Sequence, residues 1–318
     1  MDNGSSIPWM VVISSVALTV GIGFGVLKKK SSKVMISHKN VVITGGSKGI
    51  GFAVAKEFLQ RGNNVVICGR SQERLDAAVE KLSKNNSAVV SACTADVTSY
   101  ESVLNLVSYS ISFFKEHTGR AVIDIWINNA GISQAPLLPL ADTDADTIQS
   151  IVNTNLVGSL FCTKVAINQM KQQEEGGHVF LMDGAGSNGM TTANFATYGA
   201  SKAAIPQLLK SLVKETKGTN VGIHAISPGM VITDLLMKSD SDSSRKVPYK
   251  IFNVLAEQPS VVAVWLTNKI LYSSKSGSTG TYNRFLTTPG VFWRFFTFWN
   301  RKNRLVDEST GEILFKNE

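Results

Sequence analysis

Tyr198 and Lys202 stand four residues apart in Tyr198-Gly199-Ala200-Ser201-Lys202. On a helix that spacing puts the phenol and the ammonium on one face. A free phenol titrates near 10 and exchanges protons slowly at neutral pH, whereas an adjacent ammonium stabilises the phenolate and lowers its pKa. Such a pair suits general acid catalysis, an effect of roughly 10²–10⁴ in rate. A second constellation lies near the other end. Thr44-Gly45-Gly46-Ser47-Lys48-Gly49-Ile50-Gly51 follows the apolar run Val41-Val42-Ile43 and precedes a helical pattern over 52–59. Glycines there let the backbone turn sharply and approach a pyrophosphate, which the N–H groups and partial positive charge of a helix start attract. No Gly-Lys-Ser/Thr closes the loop, so it is not a P-loop. Arg70, 19 residues beyond Gly51, ends the second apolar run. An acid there would hold a ribose 2′-hydroxyl. Arg70, with Ser71 beside it and Lys48 in the loop, suits a 2′-phosphate instead, so the expected cofactor is NADPH.

The elements that must position these groups are legible as alternating patterns. Val41-Val42-Ile43, Val65-Val66-Ile67, Val89-Val90 and the runs at 122–127, 179–182 and 221–226 are short and rich in β-branched residues. Longer periodic segments near 50–61, 72–84, 99–117, 145–172 and 198–217 separate them. Continuous apolar strands alternating with helices imply a doubly wound parallel sheet, a Rossmann-like α/β domain over residues 39–288. Pro206 interrupts the last of these helices, a Ser/Asp-rich patch at 239–244 reads as a loop, and residues 236–258 are placed to form a lid.

Composition excludes several classes. The chain has 318 residues, 43% hydrophobic and 18% charged, enough apolar surface for a sizeable core and too much for a disordered chain. Three cysteines without a C-x-x-C and four histidines argue against a disulfide scaffold and against a metal site. The net charge of +8 is concentrated in two stretches, 28–39 and 294–304, which hold nine cations and no acid. The remainder is close to neutral, a poor footprint for nucleic acid. Residues 7–27 carry no charge, and a helix of that length spans about 30 Å, a bilayer core. Trp9 lies at one end and the lysine cluster at the other, so the reading is a short tail at 1–6, one N-terminal transmembrane helix at 7–27 and a basic linker at 28–38. The C-terminal stretch 289–318 reads as an aromatic and basic tail. Its run Phe292-Trp293-Arg294-Phe295-Phe296-Thr297-Phe298-Trp299 suits a lipid interface or a helix packed on the core.

Together the motifs resemble the short-chain dehydrogenase/reductase superfamily over residues 39–286. Thr44–Gly51 is similar to its glycine loop, Asn128-Asn129-Ala130-Gly131 to its NNAG strand end, Tyr198–Lys202 to YxxxK, and Pro228-Gly229 with Thr233 to its PG-x₃-T segment. The resemblance implies that Tyr198 protonates a nascent alkoxide, that Lys202 also holds the nicotinamide ribose, and that Asn155, in Asn153-Thr154-Asn155, supports a proton-relay water. It implies a cofactor set of Thr44, Gly45, Ser47, Lys48, Gly49, Ile50, Gly51, Arg70, Asp96, Val97, Asn129, Ala130, Gly131, Tyr198, Lys202, Pro228, Gly229, Val231 and Thr233, with Asp96 at the adenine. The helices near 145–172 and 198–217 resemble the superfamily's dimerisation faces, which implies a homo-oligomer. One departure stands out. The family places a substrate-orienting serine thirteen residues before the tyrosine, where this chain has Ala185; Ser187 and Asp183 are the polar alternatives.

The same departure narrows the resemblance. His178-Val179-Phe180-Leu181-Met182-Asp183-Gly184-Ala185-Gly186-Ser187, Phe252-Asn253-Val254-Leu255-Ala256-Glu257, Thr281-Tyr282-Asn283-Arg284-Phe285-Leu286 and Arg301-Lys302-Asn303-Arg304 are similar to the chlorophyll b reductases. That implies NADPH-dependent reduction of the 7-formyl group of chlorophyll b to hydroxymethyl, at a thylakoid membrane facing the stroma, with membrane lipid as a partner. Ahead of the apolar span there is no Ser/Arg-rich amphipathic stretch. The alternative is therefore a reductase of a lipid ketone, 3-ketodihydrosphingosine or a steroid, at the endoplasmic reticulum, and beyond it a non-catalytic NADP-binding scaffold.

Overall fold

The structure is a computed structural model that describes residues 38–84, 86–236, 249–275 and 277–315. The expected membrane helix at 7–27, the tail before it, nearly all of the basic linker and the Ser/Asp-rich patch lie outside the described residues. Within them, seven strands form one parallel sheet in the order β3-β2-β1-β4-β5-β6-β7. They are β1 (Asn40–Thr44), β2 (Asn64–Gly69), β3 (Val90–Thr94), β4 (Ile125–Asn128), β5 (Gly177–Met182), β6 (Val221–Ser227) and β7 (Tyr282–Arg284). Every side chain of β1 is buried, whichever face it points to. That is what a sheet covered on both sides demands, and why these runs are continuous rather than alternating.

Helices cover the two faces. α1 (Gly49–Gln60) and α2 (Gln72–Ser83) lie on the face to which Val41, Ile43, Ile67 and Phe180 point. α3 (Tyr100–Thr118), α4 (Ala145–Lys171) and α5 (Ala196–Glu215) cover the face holding Val42, Val66, Trp126 and Val179. α4 is long and apolar enough to cross a membrane by length and composition. Its Cys162, Val165, Ala166 and Met170 are instead packed into the core against the sheet. A π-helical turn, Asn153–Val157, interrupts it at the level of the cleft. Pro206 does not interrupt α5: the helix runs through it to Glu215. A proline removes one backbone hydrogen bond, and Ile205 and Leu209 on either side of it are buried against the sheet and hold the helix on course.

The C-terminal part adds elements that the periodic reading did not resolve. α6 is described from Tyr249 to Leu255, followed by α7 (Pro259–Ser273), the short edge strand β7 and α8 (Thr288–Phe296). α7 packs across α1 and completes the outer layer. Phe252, Ala256, Leu305 and Val306 form a separate small core with Ile232. Part of the expected lid, from 249 to 258, is thus helix α6 and the turn after it.

Candidate active site

All the expected cofactor residues except Thr44 line one cleft at the C-terminal ends of the strands, with a volume of about 2070 Å³. That exceeds the usual few-hundred to thousand Å³ of a small-molecule pocket and leaves room for a dinucleotide and a bulky second substrate together. Thr44 sits behind the wall, where its Oγ1 accepts hydrogen bonds from the amides of Asn129 and Ala130, both at 3.0 Å. The Asn129 side chain in turn donates to the carbonyls of Thr44 and Gly45 at 2.9 and 3.0 Å. The two strand ends therefore brace each other. Gly45 has φ +64, which favours glycine, and a Cβ on Gly51 would collide with the Gly45 carbonyl. Lys48, the residue before α1, supplies no side-chain cap. The first amides of α1 thus open to the cleft, a cradle fitted to an anion. Thr233 leans over this loop, its Cγ2 3.5 Å from where a Cβ on Gly49 would lie.

Arg70 is exposed at the end of β2, and Ser71 caps α2 by accepting the Arg74 amide at 3.4 Å. Arg74, one helical turn from Arg70, also lines the cleft and went unnoticed in the sequence, where only the Arg-x₃-Arg spacing signals it. Asp96, expected at the adenine, lines the same cleft; its Oδ1 accepts from the Thr98 amide and hydroxyl at 2.9 and 2.8 Å. Beside it, Val97 packs against Gly158. These donors and cations at one end of the cleft fit a nicotinamide dinucleotide.

Tyr198 and Lys202 project from α5 into the middle of the cleft on one side, with Lys202 Nζ 5.9 Å from the centre of the Tyr198 ring. The amine donates to the Met182 carbonyl at 3.2 Å. Asn155, in the π-helical turn, is fully buried and does not line the cleft. Its Oδ1 accepts the Ile132 amide at 2.8 Å, and its Nδ2 donates to the Ile132 carbonyl and to Ser201 Oγ. Asn155 therefore ties α4 to the helix that carries Tyr198. The expected lowering of the phenol by its neighbouring amine is not what the protein alone produces. Burial pushes the Tyr198 phenol above its ordinary value, and the charge of Asp183 pushes it further. Burial likewise lowers the Lys202 ammonium to about 8, against an opposing pull from Asp183. Desolvation penalises both charged forms, and the ammonium donates its hydrogen bond to the Met182 carbonyl. At neutral pH the phenol is held protonated, the form that can give a proton away.

In the stretch where the serine is missing, the chain presses a glycine against the phenol. A Cβ on Gly184, fourteen residues before Tyr198, would collide with the Tyr198 hydroxyl. Gly184 rather than Ala185 therefore backs the phenol, and it has no side chain to offer. Ser187 lines the cleft but donates to Asp183 Oδ2 at 2.9 Å. Tyr282 on β7, not anticipated from the sequence, donates to the same oxygen at 2.5 Å. Asp183 is buried, and its Oδ1 has no partner among the described residues. Ser187 and Tyr282 are thus clamped by one carboxylate next to the phenol.

The far wall comes from the C-terminal segment, including Arg284, Leu286, Phe292 and Phe295. The segment read as an aromatic and basic tail divides by chemistry. Arg294, Arg301 and Arg304 all turn inward onto Glu257, at 3.0, 2.8 and 2.7 Å. Burial alone would raise that carboxyl, but the hydrogen bonds from Arg304 and Arg301 win and hold it below its ordinary value. Three of the aromatics turn outward: Trp293, Phe296 and Trp299 are 58–67% exposed.

Comparison with known proteins is consistent with this geometry. The family described as short chain dehydrogenase matches residues 39–244. The chain is 41% identical over 308 residues to the Arabidopsis thaliana protein named chlorophyll(ide) b reductase NOL, chloroplastic, a match covering 94% of this chain and 86% of that one. It is 38% identical to the rice protein named probable chlorophyll(ide) b reductase NYC1, chloroplastic, over 94% of this chain and 60% of that longer protein. Among solved structures, a short chain dehydrogenase from Mycobacterium smegmatis superposes with a TM-score of 0.63 at 24% identity, covering 80% of this chain and 93% of that one.

Proposed function

The chain belongs to the short-chain dehydrogenase family and is an oxidoreductase, and from that premise we propose that it reduces the 7-formyl group of chlorophyll(ide) b to hydroxymethyl with NADPH. The observation that carries this reading is where the similarity to the chlorophyll(ide) b reductases falls. A match over 94% of the chain necessarily takes in the C-terminal wall of the cleft, where a substrate rather than a cofactor is recognised.

When bound, the reduced nicotinamide supplies a hydride to the formyl carbon. The rest is done by the chain. Tyr198, kept protonated by burial, donates its proton to the formyl oxygen as the C–O bond becomes single, and the product is a primary alcohol. Lys202, still largely charged at neutral pH, keeps its ammonium on the same side of the cleft, where it would hold the nicotinamide ribose. Gly184 lets the phenol lie close against the backbone, where a Cβ would collide with its hydroxyl. Arg70 and Arg74 favour a 2′-phosphate and hence NADPH over NADH.

The location follows the same reading: a thylakoid membrane, with the body on the stromal side. Trp293, Phe296 and Trp299 face outward on the segment whose Phe292 and Phe295 line the cleft. Aromatics so placed suit the lipid interface and would bring the cleft to a lipid-dissolved pigment. Purified full-length protein with NADPH, given chlorophyll b, chlorophyllide b and 3-ketodihydrosphingosine in separate reactions, should form the 7-hydroxymethyl pigments, identified by chromatography and absorption. Turnover of the ketosphinganine alone overturns the proposal.

A further inference from the structure

The cleft carries cations at both of its ends, and only one end faces the phosphates of a dinucleotide. Arg70 and Arg74 stand at the end of β2, and the α1 amides at the end of β1. Arg284 stands at the opposite edge, at the end of β7, paired in register with Ser227. With strands about 4.8 Å apart, Arg284 is roughly 24 Å from the end of β2 and 19 Å from the end of β1. Phosphates held at β1 and β2 therefore do not reach it.

Among the described residues, its guanidinium makes no hydrogen bond and no ion pair. The other C-terminal arginines differ: Arg294, Arg301 and Arg304 share Glu257. Arg284 is half-buried in the cleft wall and lies 4.3 Å over the ring of Tyr282. That ring is itself fixed by the hydrogen bond from its hydroxyl to Asp183. Stacking engages the flat face of a guanidinium and leaves the N–H groups in its plane available, the geometry for a bidentate grip on a carboxylate. A half-buried cation with its orientation fixed and no acid opposite is one whose counter-ion arrives with a ligand.

The acid that protonates the carbonyl sets a ruler for that ligand. Tyr198 backs onto Gly184, just past the end of β5. Arg284 is two strands away, about 10 Å. The matching substrate is a large aldehyde bearing a carboxylate about that far from the carbonyl. We infer that Arg284 binds an acidic group of the substrate and so favours the de-esterified pigment, whose propionate is free, over the phytyl ester, whose propionate is not. The inference rests on the proposed reaction.

The test compares chlorophyllide b with its methyl ester, in wild type, Arg284→Gln and Arg284→Lys, with NADPH affinity and melting temperature as controls. The wild type should show a lower KM for the acid. Arg284→Gln should raise the KM for the acid about 10–100-fold, raise the KM for the ester by a far smaller factor, and leave NADPH binding unchanged. Arg284→Lys should fall between. Equal KM values for acid and ester in the wild type, or an equal loss on both in the variants, overturns the inference, and the first outcome needs no variant to fold. If the wild type reduces neither pigment, the proposed reaction fails, but Arg284 remains testable by equilibrium binding of protoporphyrin IX and its dimethyl ester. Tighter binding of the acid, lost in Arg284→Gln, supports the carboxylate site, and equal binding rejects it.

Discussion

The two walls of the cleft are built in different ways. The cofactor wall, from β1 to α2, is made by neighbours in sequence. The glycine loop, the start of α1 and the Ser71 cap all lie within about thirty residues, and the main chain does most of the work. The C-terminal wall, from β6 to α8, depends on side chains that meet over long separations. Glu257 gathers Arg294, Arg301 and Arg304, and Asn253 holds the backbone at 304, 305 and 306. The first arrangement is a local motif. The second is a cluster whose members have no fixed spacing and whose loss would detach a wall rather than a ligand.

The sharpest separation of the two regions is chemical. Tyr198→Phe should lower kcat by about 10²–10⁴ while NADPH binding, measured by fluorescence, stays intact; a parallel loss of cofactor affinity would show that the phenol is part of the cofactor wall. Glu257→Gln should cost about 3 kcal/mol of stability by urea denaturation, because it leaves three partly buried arginines without their charge partner. NADPH affinity should survive at low denaturant, and a loss there would mean that the walls are not independent. Arg70→Ala combined with Arg74→Ala should reduce the preference for NADPH over NADH at least about tenfold, the scale of one charge-assisted hydrogen bond, without changing the response to pigment.

The smallest expected effect concerns Lys202. Its ammonium is lowered to about 8 from 10.5, so the unfolded chain holds the proton more tightly. Burying the charge costs stability below pH 8, and the cost is relieved as pH rises above 8. Stability of the wild type relative to Lys202→Met should therefore improve by about 1 kcal/mol between pH 8 and 9. Taking the difference cancels the opposing contribution of Cys68, whose thiol burial pushes up to about 12. A pH-independent difference would place Lys202 in a wetter site than the structure shows.

The legibility of the chain follows the same division. Five of the six strands from β1 to β6 fall where β-branched runs predicted them, because a strand buried on both faces must be apolar throughout; β3, a half-buried edge strand, overlaps its predicted run at Val90 alone. β7 was missed. It has three residues, only half-buried, and its Tyr-Asn-Arg shows no apolar run. α8 was read within an aromatic and basic tail suited to a lipid interface or to packing on the core; that its Arg294, with Arg301 and Arg304 after it, turns onto Glu257 left no local signal, because that partner is 37 to 47 residues away in sequence. Which residue stands behind the phenol could not be read by counting back from Tyr198, since the count takes no account of the turn through Gly184 and Gly186.

What the sequence determined by itself is the class of fold, the glycine-rich cradle at the end of the first strand and the pairing of phenol with amine. Each depends on spacing within a single strand, loop or helix, and those geometries are fixed by the backbone. Which way the phenol titrates, where the arginines turn and which of them stays unpaired were decided only by the tertiary structure. Desolvation and ion pairing depend on what distant segments place beside a group, and chain order carries no record of that.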